Sequence, residues 1–290
     1  LVSIPGFNNN LFSQGISQER YEQIITDPSK PLFNRAVAGM YPVGSTIKPL
    51  VAAAALQENI IDPGKKVLTK GFIEVPHQYD PEIVYTFHDW KNHGWVDMRD
   101  SIAISSNAYF YMIGGGYEDQ KGLGPSRIKK YLSLFGWGDK TGIDFPGEAQ
   151  GLIPDPEWKR KTINEGWWDG DTYLLSIGQG NLLATPLQVA AAFVPIANGG
   201  TVYKPKMVKG IIKASDSLLE NGIVGSSREE VSEIPPEAVS DTIIDAENLK
   251  VVREGMRQAV TWGSSVLLKQ LPVQATAKTG TAQTGKKDRE

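Results

Sequence analysis

The chain has 290 residues, 40% of them apolar and 22% charged, the balance of an ordinary globular protein. Its net charge of −3 argues against a nucleic-acid partner, which needs a clustered basic surface. The absence of cysteine removes disulfides, thiolate nucleophiles and cysteine metal sites.

No apolar run reaches the roughly 18 residues needed to span a bilayer. Leu1 is not preceded by Met, no basic-then-apolar leader follows it, and the chain closes on the charged run Lys286-Lys287-Asp288-Arg289-Glu290. Both ends therefore read as cuts through a longer protein, with room for a membrane anchor outside them. Residues 1–7 are apolar and closed by Pro5-Gly6, the pattern of a strand end, and a short helix is predicted over 17–27. The strongest helix pattern covers 45–58. Gly44 precedes it, and Pro49 falls in the first turn, where its missing N–H forfeits no intrahelical bond. The alanines of that stretch suit close packing on every side, hence a central buried helix starting near Ser45.

Residues 62–97 read as irregular. Helices are predicted over 98–112 and 125–135, loops at Pro146-Gly147 and 154–156, and a helix over 185–198. Thr185 caps that helix, Pro186 takes its first position and Gly199-Gly200 ends it. Residues 201–213 fit a strand or hairpin, 214–240 a polar surface excursion, and 246–261 a helix. A strand over 272–284 sets Val273, Ala275, Ala277 and Thr279 against Gln274, Thr276, Lys278 and Gly280. No internal repeat is visible.

Three short motifs carry chemistry. Ser45-Thr46-Ile47-Lys48 puts a hydroxyl and an amine three residues apart on one helix face. The serine becomes a nucleophile when a base removes its proton, and a desolvated lysine near other cations can be that base. By itself the motif reads as a helix cap with a surface lysine. The same spacing recurs at Ser126 and Lys129, where a solvated helix face is the simpler reading. Ser105-Ser106-Asn107 offers hydroxyl and amide groups that can bridge a lysine and a substrate amide; alone it is a cap or turn. Lys278-Thr279-Gly280-Thr281 can hold a substrate carboxylate, while Gly280 admits another backbone and the strand edge could pair with an extended peptide; alone it is a strand-end turn. The three occur in the order used by serine β-lactamases and penicillin-binding proteins, with Ser106 where that set has Asp.

The segments around these motifs extend the likeness. Tyr41-Pro42-Val43-Gly44-Ser45-Thr46-Ile47-Lys48-Pro49, Trp168-Asp169-Gly170-Asp171-Thr172, Ser176-Ile177-Gly178-Gln179-Gly180, Thr185-Pro186-Leu187-Gln188 and Ala197-Asn198-Gly199-Gly200 resemble class B penicillin-binding proteins. So do Leu1-Val2-Ser3-Ile4-Pro5 and the stretch from Pro146 to Pro154. The tryptophan-rich 158–180 region is similar to the penicillin-binding protein 2 type of the elongation machinery rather than the division type. The resemblance implies an α/β fold of the α+β kind, an antiparallel sheet flanked by helices with a mostly helical subdomain. It implies one transpeptidase domain over 1–290, truncated at both ends and lacking the family's C-terminal strands.

The implied reaction is D,D-transpeptidation of peptidoglycan without a cofactor. Ser45 would attack the carbonyl between two D-alanines of a pentapeptide stem, with Lys48 as base. Ser105 and Asn107 would relay protons and position the amide, with Ser106 and Gly280 beside the substrate. Lys278 and Thr279 would bind the terminal carboxylate, and the N–H groups of Ser45 and Thr281 would form an oxyanion hole. β-Lactams would trap Ser45. Implied partners are a membrane glycosyltransferase and scaffold proteins of the elongation complex, and the implied location is the outer face of the bacterial cytoplasmic membrane.

Two alternatives stay open: a carboxypeptidase or β-lactamase on the same fold, and a non-catalytic sensor or scaffold. No Glu-x-Leu-Asn-like segment of the class A lactamases is found. Asp89 and His93, four apart with His77 and His88 nearby, could share a metal, but two ligands do not make a zinc site, and structural roles are preferred. Trp90, Trp95, Trp137, Trp158, Trp167 and Trp168 read as packing and groove walls. Gly178-Gln179-Gly180 reads as a tight turn beside the site, not a phosphate loop.

Overall fold

A computed structural model of the protein describes residues 1–13, 15–77, 80–212, 231–241 and 243–283. Among these the helices are α1 (Gln18–Thr26), α2 (Arg35–Ala38), α3 (Lys48–Gln57), α4 (Met98–Ile104), α5 (Asn107–Gly115), α6 (Gly124–Leu134), α7 (Pro156–Ile163), α8 (Asp169–Ser176), α9 (Pro186–Asn198) and α10 (Ala246–Thr261). The strands are β1 (Tyr41–Pro42), β2 (Val67–Thr69), β3 (Phe72–Pro76), β4 (Val84–His88), β5 (Gly94–Val96), β6 (Leu183–Ala184), β7 (Val202–Tyr203), β8 (Gly210–Ile212), β9 (Val231–Glu233) and β10 (Ala238–Ser240).

The alanine-rich segment is the axis of the core. Every residue from Lys48 to Leu56 is buried, and Ala52, Ala53, Ala54 and Ala55 are wholly inaccessible. Small side chains let α4, α5, α6 and α10 approach it from several sides. The helix does not start at Ser45: Gly44–Ile47 form one 3-10 turn, and Pro49 then sits at the head of α3. Around this axis one contiguous apolar core gathers Leu50, Met98, Ile102, Phe110, Phe135, Leu249 and Val252.

The expected helix over 98–112 is two helices. Ser105 adopts left-handed backbone, φ 61° and ψ 40°, and ends α4. Ser106 then caps α5, its Oγ accepting from Tyr109 N at 3.3 Å. A serine that hydrogen-bonds locally competes with helix continuation, so the motif itself breaks the helix. α2, α7 and α8 are short and went unpredicted. α7 is capped by Asp155, which accepts from Trp158 N at 2.7 Å.

The strands pair antiparallel, in five two-stranded sets: β1 with β6, β2 with β5, β3 with β4, β7 with β10, and β8 with β9. The stretch read as irregular, 62–97, thus contains two of these pairs, hidden by the polar and aromatic residues of half-exposed strands. Strands β7 and β8 pair not with each other but with β10 and β9, inside the segment expected as a surface excursion; residues 214–230 of that segment, and Lys213 before it, lie outside the described residues. Residues 1–7 form no strand. Residues 272–283 run without a strand partner among the described residues. They hang on α10, where Ala277 N donates to Met256 O at 3.1 Å and Arg257 Nη1 donates to Ala275 O at 2.8 Å.

Helix α9 is bounded as its sequence predicts. Thr185 Oγ1 accepts from Gln188 N, and Gln188 Oε1 accepts from Thr185 N, a reciprocal cap. Gln188 is fully buried, and its Nε2 also donates to Asp139 O at 2.7 Å and Gln150 O at 2.8 Å. One side chain therefore satisfies three backbone groups, among them the N–H of the wholly buried Thr185. Gln188→Leu keeps the volume but removes all three bonds and leaves the buried Thr185 N–H unpaired, so it is expected to cost about 1–3 kcal/mol and lower the thermal midpoint by several degrees in a melting experiment.

Candidate active site

The turn carrying Ser45 is built by close backbone approaches that only glycine permits. A Cβ on Gly44 would lie 2.3 Å from Thr281 O, and one on Gly178 would lie 2.1 Å from Gly44 O. Gly44 N donates to Gly178 O at 2.9 Å, and Gly280 lies so close to Thr46 that a Cβ would meet its methyl at 2.7 Å. The Ser45 turn, the 178–180 turn and the 278–281 segment are thus fused into one wall. Ser45 is half-buried, and its hydroxyl makes no hydrogen bond among the described residues.

Lys48 lies one turn further into the core and is wholly inaccessible. Its Nζ reaches Asn107 Oδ1 at 2.6 Å and Ser105 O at 2.7 Å, donating to both. Ser105 Oγ is 3.3 Å away. From the opposite side Lys278 Nζ donates to the same Ser105 Oγ at 2.7 Å, and to Thr279 O at 3.0 Å. Ser105 is therefore a bridge between two lysine amines. Its left-handed backbone turns both its carbonyl and its hydroxyl toward Lys48. Burial holds the Lys48 amine well below the usual lysine range, the Lys278 charge pushes the same way, and the Asp89 carboxylate opposes both. Burial alone brings Lys278 down to about 7. With one hydrogen given to each carbonyl oxygen, a neutral Lys48 keeps its lone pair for a proton.

Ser45, Ser105, Asn107, Thr279 and Thr281 line one cavity of about 550 Å³, together with Phe87, His88, Trp90, Leu174, Gln179 and Ser264. Of the second group, the sequence pointed only to Trp90 as groove wall, Gln179 as turn and His88 as a neighbour of Asp89 and His93. Phe87 and Leu174 had no signal beyond being apolar. Thr279 Oγ1 lies 3.3 Å from Ser264 Oγ, which ties the segment to the end of α10.

Ser106 is placed differently from the substrate-facing role expected of it. It is fully buried, and its Oγ donates to Asp89 Oδ2 at 2.7 Å, away from the cavity. Asp89 also accepts from Ala108 N at 3.0 Å and, through Oδ1, from Trp90 N at 2.8 Å. This inaccessible carboxylate clamps the start of α5, and so the Asn107 that receives Lys48. His93 Nε2 lies 3.8 Å from Asp89 Oδ2, and burial lowers the pKa of the imidazole. No group of three or more histidine, cysteine or acidic side chains that could hold a metal occurs among the described residues. The second Ser-x-x-Lys pattern lies on α6, where Lys129 Nζ donates to Asp155 Oδ2 at 2.5 Å and so is bound away from Ser126. No helix among the described residues is long and apolar enough to cross a membrane.

The chain is similar in sequence and fold to known proteins. The penicillin binding protein transpeptidase domain model matches residues 1–290. The peptidoglycan D,D-transpeptidase MrdA of Acinetobacter baumannii is 35% identical over 285 residues, covering 98% of this chain and 39% of that protein. MrdA of Escherichia coli K12 is 36% identical over 210 residues, covering 72% of this chain and 31% of its own length. The chain thus spans less than half the length of these curated relatives. Among solved structures, PBP2 of Pseudomonas aeruginosa in complex with WCK 5153 superposes with a TM-score of 0.79 at 32% identity, over 98% of this chain and 59% of that one. The PBP2–MreC complex of Helicobacter pylori gives 0.78 at 31%, over 98% of this chain and 48% of that one. Matching along its whole length and resembling PBP2-type members throughout, the chain belongs to the family of penicillin-binding protein transpeptidase domains.

Proposed function

We propose that the protein is a peptidoglycan D,D-transpeptidase acting through a serine acyl-enzyme, and that residues 1–290 form a single transpeptidase domain. The observation that carries this reading is the meeting of two amines, those of the buried Lys48 and the half-buried Lys278, at the Oγ of Ser105, a residue that lines one cavity with Ser45. Ser45 Oγ attacks the carbonyl carbon of the penultimate D-alanine while Lys48 takes its proton. The carbon–nitrogen bond breaks, and the departing D-alanine amine receives that proton through Lys48 and Ser105. Lys278 and Thr279 hold the terminal carboxylate, a charge-assisted contact strengthened by exclusion of water. The N–H groups of Ser45 and Thr281 face the developing oxyanion. An amine from a second stem then displaces Ser45. β-Lactams, which present a strained amide and a carboxylate, acylate the same oxygen.

The names of the relatives support this reading: MrdA proteins are named as D,D-transpeptidases, and the Helicobacter PBP2 structure is a complex with MreC. By extension, the full-length protein works at the outer face of the cytoplasmic membrane with a glycosyltransferase and an elongation scaffold.

Ser45→Ala is expected to abolish covalent labelling by fluorescent penicillin, whereas Ser126→Ala leaves it intact; equal labelling of both would refute the nucleophile, and fast turnover of the drug by the unaltered protein would favour a lactamase. The pH profile of the second-order acylation rate reports groups of the free enzyme. Lys278 must be cationic to hold a carboxylate, so the rate is expected to fall as pH rises above about 7. Lys278→Arg should move that alkaline limb upward, because guanidinium stays charged. On the acid side Lys48 must be neutral. The Asp89 charge raises the Lys48 pKa, so Asp89→Asn should shift the acid limb to lower pH and, by loosening Asn107, cut the plateau rate about tenfold. An unmoved acid limb in that variant would dissociate Asp89 from the base.

A further inference from the structure

Beside the catalytic cavity lies a second one of about 370 Å³, walled chiefly by Tyr85, Phe87, Trp167, Trp168, Asp169 and Leu174. Phe87 and Leu174 line both cavities, so the two share a wall. Its sides come from the β3–β4 hairpin and the start of α8. Trp168 is 51% exposed and Tyr85 50%, large aromatic surfaces left to solvent beside a catalytic cleft. His77 completes the aromatic side, its ring 6.2 Å from that of Trp168 and 6.0 Å from that of Tyr85. The two carboxylates at the head of α8 differ. Asp171 is committed, its Oδ2 accepting from Lys159 Nζ and from Trp168 N, each at 2.7 Å. Asp169 is exposed and enters no ion pair or side-chain hydrogen bond among the described residues. Aromatic faces with one unpaired carboxylate suit an ammonium group on an apolar stem.

The transpeptidase reading has two substrates, and the cleft around Lys278 and Thr279 accounts for only the donor. Resting on that reading, we propose that the second cavity is the acceptor subsite, where the amine-bearing side chain of the second stem peptide is captured before it attacks the acyl-enzyme. The alkyl stem lies against Trp168 and Phe87, with the ammonium toward Asp169. Capture involves the ammonium; attack follows loss of one proton to water. The amine nitrogen then bonds to the acyl carbon, the bond from that carbon to Ser45 Oγ breaks, and the proton shed by nitrogen passes through Lys48 to Ser45 Oγ.

The test uses the full-length protein and separates the two halves of the reaction. Penicillin labelling reads the donor half. The acceptor half is read by forming the acyl-enzyme from a D-alanine thioester donor and measuring how it partitions between hydrolysis and aminolysis by a tripeptide carrying a free side-chain amine. For Asp169→Asn and Trp168→Ala, labelling is expected to proceed within about twofold of the unaltered protein, while aminolysis at low acceptor concentration drops about tenfold and recovers at high concentration. Asp169→Glu, which keeps the charge, should restore most of the loss. Unchanged partitioning in both variants would overturn the subsite. A parallel loss of labelling in both would also overturn it, because the cavity would then serve the donor. Failure of the unaltered protein to label would instead sink the transpeptidase reading itself.

Discussion

Everything in the site depends on two lysine amines sharing one serine hydroxyl. Lys48 and Lys278 come from chain segments more than two hundred positions apart, yet both reach Ser105 Oγ. Two like charges in so dry a place repel strongly, and burial penalises each of them separately. The arrangement persists only if at least one amine is neutral much of the time. That is the state a general base requires, so the electrostatic cost of the core and the chemistry of the site have the same origin. The cation left over is the one needed for a carboxylate.

The scaffold is organised to hold that cluster rigid. Alanines on α3 let neighbouring helices close around Lys48, whose long stem lies in the core with its amine 5.4 Å from the centre of the Phe110 ring. The left-handed break at Ser105 turns a carbonyl and a hydroxyl toward Lys48, and the buried Asp89 clamps the beginning of α5 behind it. Glycines at 44, 178 and 280 let three chain segments approach backbone to backbone, which places Ser45 beside Thr279 and Thr281 on the wall of the cleft. A side chain at any of these glycines would push that wall apart.

Ser105-Ser106-Asn107 shows how far sequence reasoning reached and where it stopped. The motif was recognisable by spacing and company, but as letters on a presumed continuous helix 98–112. Its working form is the break in that helix, and only local serine hydrogen bonds with a distant carboxylate produce it. Asp89 shows the complementary failure. A structural or surface role is preferred for it over a metal, but which role is not legible, because nothing in a linear chain announces that an aspartate will end inaccessible beneath a motif 17 positions away.

The sequence by itself determined the candidate groups, one hydroxyl, two amines and one amide, and the buried helix at Lys48, since alanine density, caps at Thr185 and Gly199, and motif order are local properties of the chain. Tertiary structure alone decided which of those groups meet, which way their pKa values are displaced, and that Ser106 faces inward while its neighbours line the cavity. It also decided that residues 272–283 hang on α10 and that a second aromatic cavity opens beside the first. The reason is physical. Propensity and periodicity act over a few residues, whereas desolvation, charge coupling and cavity walls are set by segments that the sequence separates and only packing brings together.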